Sequence, residues 1–313
     1  MIIELLPVET LVMKNQLRAG YNALGLVSFL WGTTYIASRI GAQHMPGLFV
    51  AGLRQFSAGL ILVTFFLVKG YKIPDLRSLK EISIQGILLL CLANGMLTWS
   101  LEYISGGLAA IIAALVPILI TVFSIWLLKH ARFTKLMIAG LLVGFAGIIV
   151  IFYDYLHQFS NTSFAFGVGL AILSTVCWAF GSVYSARTKL PVDILFNVGL
   201  QMLIAGVVML VVCGFSGKYV NPIHFSLDSL YALLYLVVFG SLIAYSAYVF
   251  AISKLSPALV SIYAYINPIV AVALGWLLLN EKMNASMLIG TFITLGGVIL
   301  VNREFKKQKT SKC

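Results

Sequence analysis

The chain has 313 residues and a formal net charge of +11, with 61% hydrophobic residues, 10% charged residues and a mean hydropathy of +1.01. A soluble domain is about 45–50% apolar and about 25% charged, so a globule of this composition could not cover its surface. The composition also excludes intrinsic disorder, and four cysteines exclude a secreted disulfide scaffold, which leaves an integral membrane protein.

A hydrocarbon core about 30 Å thick asks for roughly 20 apolar residues in helical form. In chain order, ten stretches meet or approach that length: Tyr21–Ile40, Pro46–Val68, Ile82–Trp99, Ser105–Leu128, Phe133–Tyr153, Phe166–Ala186, Val192–Phe215, Leu230–Ile252, Pro257–Leu279 and Ala285–Val301. The runs are continuous rather than alternating, and too long for barrel strands. The expected fold class is therefore all-α and membrane-embedded, with ten transmembrane helices. Residues 1–19 form a cytoplasmic or interfacial lead-in. Its start carries Glu4 and Glu9 and no basic residue before Lys14, the reverse of a signal peptide. The longest connections, Lys69–Glu81, Asp154–Ala165 and Ser216–Ser229, leave no room for a soluble domain.

The basic residues fix an orientation. With the N-terminus inside, seventeen of the twenty-one lie in inside segments, among them Lys69, Lys72, Arg77, Lys80, Arg187 and Lys189. Arg39, Lys218 and Lys282 alone lie outside, and Arg54 lies within a span. This positive-inside bias places both termini in the cytoplasm, in an inner or plasma membrane. The excess charge is thus a topology signal, and no nucleic-acid partner is expected. The tail, residues 303–313, reads as basic and cytoplasmic, resting near anionic headgroups.

The two halves, residues 20–154 and 155–302, resemble each other. Ser105 pairs with Ser256 and Pro117 with Pro268 at an offset of 151, within Tyr103–Pro117 and Lys254–Pro268. Gly140, Gly147 and Ile149 pair with Gly290, Gly297 and Ile299 at an offset of 150. Five spans is an odd number, so the second unit enters the membrane from the opposite side. Two inverted five-helix repeats are the usual construction of a secondary transporter.

Four segments carry a family resemblance: F-L-W-G-T-T-Y in the first span, A-G-L-R-Q-F-S-A-G in the second, P-I-V-A-V-A-L-G-W-L-L-L-N-E-K in the ninth, and L-I-G-T-F-I-T-L-G-G-V-I-L in the tenth. In order, spacing and duplication the chain resembles the drug/metabolite transporter superfamily, in the branch with two EamA-type domains. The resemblance implies a ten-helix carrier with cytoplasmic termini, often an exporter of amino acids or other small metabolites. Glu281 matches the acidic residue that closes the fourth helix of each repeat in that family. The equivalent place in the first repeat holds His130, so a symmetric acidic pair is not expected.

Substrate-binding candidates are polar and aromatic residues stacked on one helical face. Trp31, Thr34, Tyr35 and Ser38 form such a stripe in the first span, and Asn94, Thr98 and Glu102 in the third, where Trp99 lies beside them. Trp178, Ser182 and Ser185, with Tyr184 nearby, lie in the sixth. Ser241, Tyr245 and Tyr248 lie in the eighth, and Tyr263 and Asn267 in the ninth. The same residues can instead glue helices together or form interfacial belts. Arg54 is the one ionised residue well inside a span. It reads either as a contact for an anionic substrate group or as a fixed ion pair or carbonyl partner. Pro117 and Pro268 read as hinges or as static kinks. Gly140, Gly144, Gly147, Gly290, Gly296 and Gly297 read as close helix packing. Glu102 is the candidate for proton coupling, with uncoupled diffusion or exchange as the alternative.

His44, His130, His157 and His224 lie outside the spans without metal-ligand spacing, the cysteines form no CxxC pair, and no phosphate-cradling loop is present. Neither cofactor nor metal is expected. The sequence thus predicts a secondary transporter of small organic metabolites, exporting amino acids or related compounds by alternating access. Its partners are a small-molecule substrate and the bilayer, with homo-oligomerisation left open. The alternatives are an enzyme acting on lipid-linked substrates, which wants carboxylates and histidines that are missing, and a channel or sensor.

Overall fold

The computed structural model describes residues 8–128, 134–153, 158, 160–221, 224–261, 263–281 and 284–310. Among them every regular element is helical. The order is α1 (Val8–His44), α2 (Gly47–Val68), α3 (Leu76–Ser100), α4 (Gly106–Ala113), α5 (Val116–Leu128), α6 (Lys135–Tyr153), α7 (Thr162–Arg187), α8 (Ile194–Phe215), α9 (Leu227–Lys254), α10 (Pro257–Val260), α11 (Tyr263–Leu279) and α12 (Ala285–Thr310). Six helical stretches are long and apolar enough to cross a membrane: α2, α3, α7, α8, α9 and the run Gly106–Leu127 formed by α4 and α5. The exterior is apolar, with Phe29, Trp126, Leu142, Phe145 and Phe292 all more than 60% exposed, while Arg54, Gln55, Gln85 and Gln201 are buried. A soluble fold would reverse that arrangement; a bilayer requires it.

Helix starts follow from short polar caps. Asp75, Ser105, Asn161, Asp193, Ser226 and Ser256 each accept from backbone N–H groups of the first turn that follows. The equivalent Ser105 and Ser256 therefore do the same work. The first helix is longer than the span Tyr21–Ile40: it begins at Val8, inside the expected lead-in, and runs on to His44, so Arg39 is helical. The lead-in's first seven residues, His130 and the last three residues of the tail lie outside the described residues.

Two features interrupt the spans. Pro117 has no N–H to donate to Ala113, and the chain turns there: Ala114 and Leu115 donate to Ile111 and Ile112 before α5 begins. Pro268 lies inside α11. Wide π-helical turns occupy Ile87–Gly95 in α3 and Leu236–Tyr245 in α9.

The principal contacts pair α2 with α8, α6 with α12, α1 with α9 and α11, and α7 with α3 and α5. Glycines permit the closest of these. A Cβ at Gly59 would strike the Leu203 backbone, and one at Gly206 the Phe56 backbone. In α6 and α12, Gly147 faces Thr294 and Gly290, and Gly297 faces Gly144. Gly296 departs from the expected packing role, since nothing lies within 4 Å of the position its Cβ would take.

Candidate functional site

A cavity lies among α1, α2, α3, α4, α5, α7, α9 and α11, and spans about 780 Å³ between atoms, space open to solvent included. α1 contributes Trp31, Thr34, Tyr35 and Ser38; α2 contributes Arg54 and Gln55; α3 contributes Asn94 and Thr98. Ser174, Thr175 and Trp178 come from α7, Tyr245 from α9, and Tyr263 and Asn267 from α11. Ala110, Ala113 and Val116 supply an apolar wall where α4 meets α5.

One side is aromatic. The Trp31 ring meets those of Trp178, Tyr248 and Tyr263 at centroid distances of 5.1, 5.0 and 5.0 Å. Two of these contacts are edge-to-face, the arrangement that the ring quadrupole favours. Trp31 Nε1 donates to the Gly240 carbonyl at 3.3 Å, and the Tyr248 and Ser182 hydroxyls share a bond of 2.5 Å. Tyr248 thus backs the wall rather than lining the cavity.

The opposite side is polar. Arg54 is 3% exposed and donates from Nε to Ser241 Oγ at 2.7 Å. Gln55 Nε2 donates to Asn94 Oδ1 at 3.1 Å, and its Oε1 accepts from Ser241 at 3.4 Å. A Cβ at Gly240 would lie 2.7 Å from a terminal nitrogen of Arg54, so glycine there makes room for the guanidinium. Among the described residues Arg54 has no carboxylate within ion-pair distance; the recorded ion pair joins Arg39 to Glu281 at 4.0 Å. The structural reading of Arg54 thus finds no ion-pair partner among the described residues and a bond to the Ser241 hydroxyl instead.

Beneath Tyr245 a second network runs away from the cavity. The Tyr245 hydroxyl donates to Gln201 Oε1 at 2.5 Å, and Gln201 Nε2 donates to Gln85 Oε1 and Asn197 Oδ1, each at 3.0 Å. Buried amides in an apolar bundle must find such partners.

The acidic side chains are employed elsewhere. Glu102 accepts from the Gly47 amide that starts α2, and Glu281 accepts from the Gly106 and Gly107 amides that start α4, at 3.1 and 3.4 Å. Both carboxylates therefore sit at the positive ends of helices.

Of the twelve binding candidates, nine come together in the cavity: Trp31, Thr34, Tyr35, Arg54, Asn94, Trp178, Tyr245, Tyr263 and Asn267. Trp99 lies outside it, against Phe166 at 5.3 Å and beneath Lys218 Nζ at 5.1 Å. Tyr184 also lies outside and donates to Glu81. Gln55, Ser174 and Thr175 line the cavity without having been singled out from the sequence. Gln55 carried a usable signal, a polar amide beside the only mid-span charge.

Comparison with known proteins follows the same lines. The model of the EamA-like transporter family matches residues 18–153 and again 165–303. The chain is 37% identical over 289 residues to the "Uncharacterized inner membrane transporter YedA" of Escherichia coli strain K12, covering 92% of each chain. It is 28% identical over 288 residues to the "Uncharacterized transporter YvbV" of Bacillus subtilis, covering 92% of this chain and 93% of that one. It is 27% identical over 277 residues to "Protein PecM" of Dickeya dadantii, covering 87% and 88%. A solved crystal structure shares the fold with a TM-score of 0.64 at 19% identity, over 92% of this chain and 97% of the other. The chain belongs to the EamA-like transporter family, of the drug/metabolite transporter type, and is a multi-pass membrane protein of a family of transporters rather than enzymes.

Proposed function

We propose that the protein is a secondary carrier of the inner membrane that binds small organic metabolites in the central cavity and exports them by alternating access. Amino acids and related compounds are the expected class. The observation that carries this reading is the cavity itself: a site with an aromatic wall and a polar wall, built from helices of both halves of the chain.

The proposed architecture is ten passes in two inverted repeats, with domains at 20–154 and 155–302 flanked by the lead-in and the basic tail. On that scheme α4 with α5, and α10 with α11, are each one pass. Helix pairing supports it. The second pass packs on the seventh and the fifth on the tenth, and the first pass meets the eighth and ninth as the sixth meets the third and fourth. A two-fold relation between the halves would give this pairing, and with five passes in each half its axis would lie in the membrane plane. The π-helical turns support it as well, since they fall at corresponding places in the two halves and both border the cavity. Such turns cluster at functional sites. With Pro117 and Pro268 they are the proposed points of bending.

The positive-inside bias supports cytoplasmic termini. On that orientation the cavity lies about mid-membrane, with its α1 and α3 residues in the external halves of those helices and Tyr245 and Tyr263 in the cytoplasmic halves of theirs. The test is counterflow in proteoliposomes loaded with a panel of unlabelled metabolites. Saturable, exchange-accelerated uptake of a labelled member supports a carrier. Flux that rises linearly with concentration marks a channel, and no flux across the panel overturns the transport reading.

A further inference from the structure

We propose that the cavity selects organic monoanions, holding a carboxylate-type head at Arg54 and an apolar body against the aromatic wall, and that it rejects compounds bearing an ammonium group, zwitterionic amino acids included. This rests on the cavity being the transport site, as proposed above; it keeps the small organic metabolites of that reading and sets the zwitterionic amino acids among them aside.

The charge pattern is one-sided. Among the described residues Arg54 is the one charged residue that lines the cavity, and no acidic side chain does. The nearby carboxylates are committed to helix starts, Glu102 at Gly47 and Glu281 at Gly106 and Gly107. Arg54 itself is buried, held at Nε by the neutral hydroxyl of Ser241. A guanidinium presents five N–H donors in a planar fork that suits a carboxylate, and a single hydroxyl occupies only one of them. A buried cation without a counter-ion is costly, and a substrate anion supplies what the chain withholds.

The hydrogen-bonding groups point the same way. Trp178, whose indole nitrogen can only donate, adds a donor beside the Tyr248 and Tyr263 hydroxyls and no acceptor. Of the lining amides, Asn94 already accepts at Oδ1 from Gln55. Asn267, in the amide orientation that satisfies it, donates to the carbonyls of Tyr263 and Ser28 at 3.2 Å. Nor does Trp31 offer an open face for a cation, because three rings crowd it at 5.0–5.1 Å. One fixed positive charge with no facing carboxylate among the described residues is a site for an anionic acceptor.

The test uses purified full-length protein and two matched sets that differ only in the head group. One is 3-phenylpropanoate, phenylalanine and phenethylamine; the other is 4-methylpentanoate, leucine and isoamylamine. Binding is read by thermal shift, and transport by competition in counterflow. The expected result is that at least one acid binds ten-fold or more tightly than its amino acid, with the amines inactive. Arg54→Gln should bring acid and amino acid to within about three-fold of each other, and Arg54→Lys should keep part of the preference. If Arg54→Gln does not fold, Ser241→Ala, which leaves the charge in place, should keep the preference for the acid. Equal or tighter binding of the amino acids or amines overturns the inference and leaves the transport reading standing. So does an unchanged acid preference in folded Arg54→Gln. No binding by either acid also overturns it, while saturable counterflow of any other metabolite keeps the carrier reading separate.

Discussion

Arg54 and Ser241 lie 187 residues apart in the chain, yet Arg54 Nε donates to the Ser241 hydroxyl at 2.7 Å. The bond ties α2 to the π-helical part of α9 at the polar wall of the cavity. It also holds the guanidinium beside the cavity, where the proposed solute would meet it.

Arg54→Ala should therefore lower transport by ten-fold or more, with part of the loss appearing as reduced folded yield. A charge at mid-membrane costs roughly 2.5–3.5 kcal/mol on insertion scales, so its retention there argues for use. Lys69→Ala is the control, because Lys69 is exposed just past α2 and rests over the Phe65 ring. Uptake and fluorescence-detected size exclusion measured on both variants check this. Equal, near-normal values would contradict it.

Tyr245→Phe should lower stability. The change removes the donor to Gln201 Oε1 and leaves that oxygen buried without a partner, a loss of about 1–3 kcal/mol. A drop in melting temperature is expected, and Gln201→Leu in the same background should not recover it, because Gln85 Oε1 and Asn197 Oδ1 would then lose the donor they share. An unchanged melting temperature would mean that the Tyr245–Gln201 bond contributes nothing.

Gly206→Ala should cost about 1–3 kcal/mol by overpacking, because its Cβ would strike the Phe56 backbone where α2 and α8 cross. Gly169→Ala, with nothing within 4 Å, should be neutral or mildly stabilising. Paired melting temperatures of the two variants separate close packing from a general intolerance of alanine.

The start of α3 should be pH-sensitive. Hydrogen bonds from Ser78, and then from the Arg77 backbone, hold the Asp75 carboxyl below the usual carboxylate range. A lowered folded value means that the cap's contribution is complete above the unfolded value and is lost as pH falls through the folded one. Amide exchange at Arg77 and Ser78, corrected for intrinsic rates, should accelerate as pH falls through that window in the wild type. It should be fast throughout in Asp75→Ala.

Much of the site was legible because helical spacing is a geometric rule. Trp31, Thr34, Tyr35 and Ser38 share a face at i, i+3, i+4 and i+7, and all four reach the cavity. The same rule accounts for the residues that do not. Tyr184 lies six residues past Trp178, about 240° around the helix, and so turns to Glu81. Trp99 lies five past Asn94, about 140° away, and so faces Phe166. The amides were the blind spot. Gln55, Gln85 and Gln201 pair across helices, and pairing partners far apart in sequence leave no local pattern. The π-helical turns were equally hidden, because they depend on how α3 and α9 pack and not on a residue type. Glu102 continued the Asn94 stripe on paper, but it lies past the end of α3, where the free Gly47 amide draws it away.

Alternating exposure of the cavity is the central claim, and thiol labelling tests it most directly. Ala113 lines the cavity and is half-buried, so Ala113→Cys can report on it in a chain whose Cys91, Cys177, Cys213 and Cys313 have been replaced. A membrane-impermeant thiol reagent is added to one face of sealed, oriented vesicles and then to the other. The account predicts labelling from both faces, slowed from each by a solute that counterflow has shown to be carried. Labelling from one face only, with or without that solute, would contradict it.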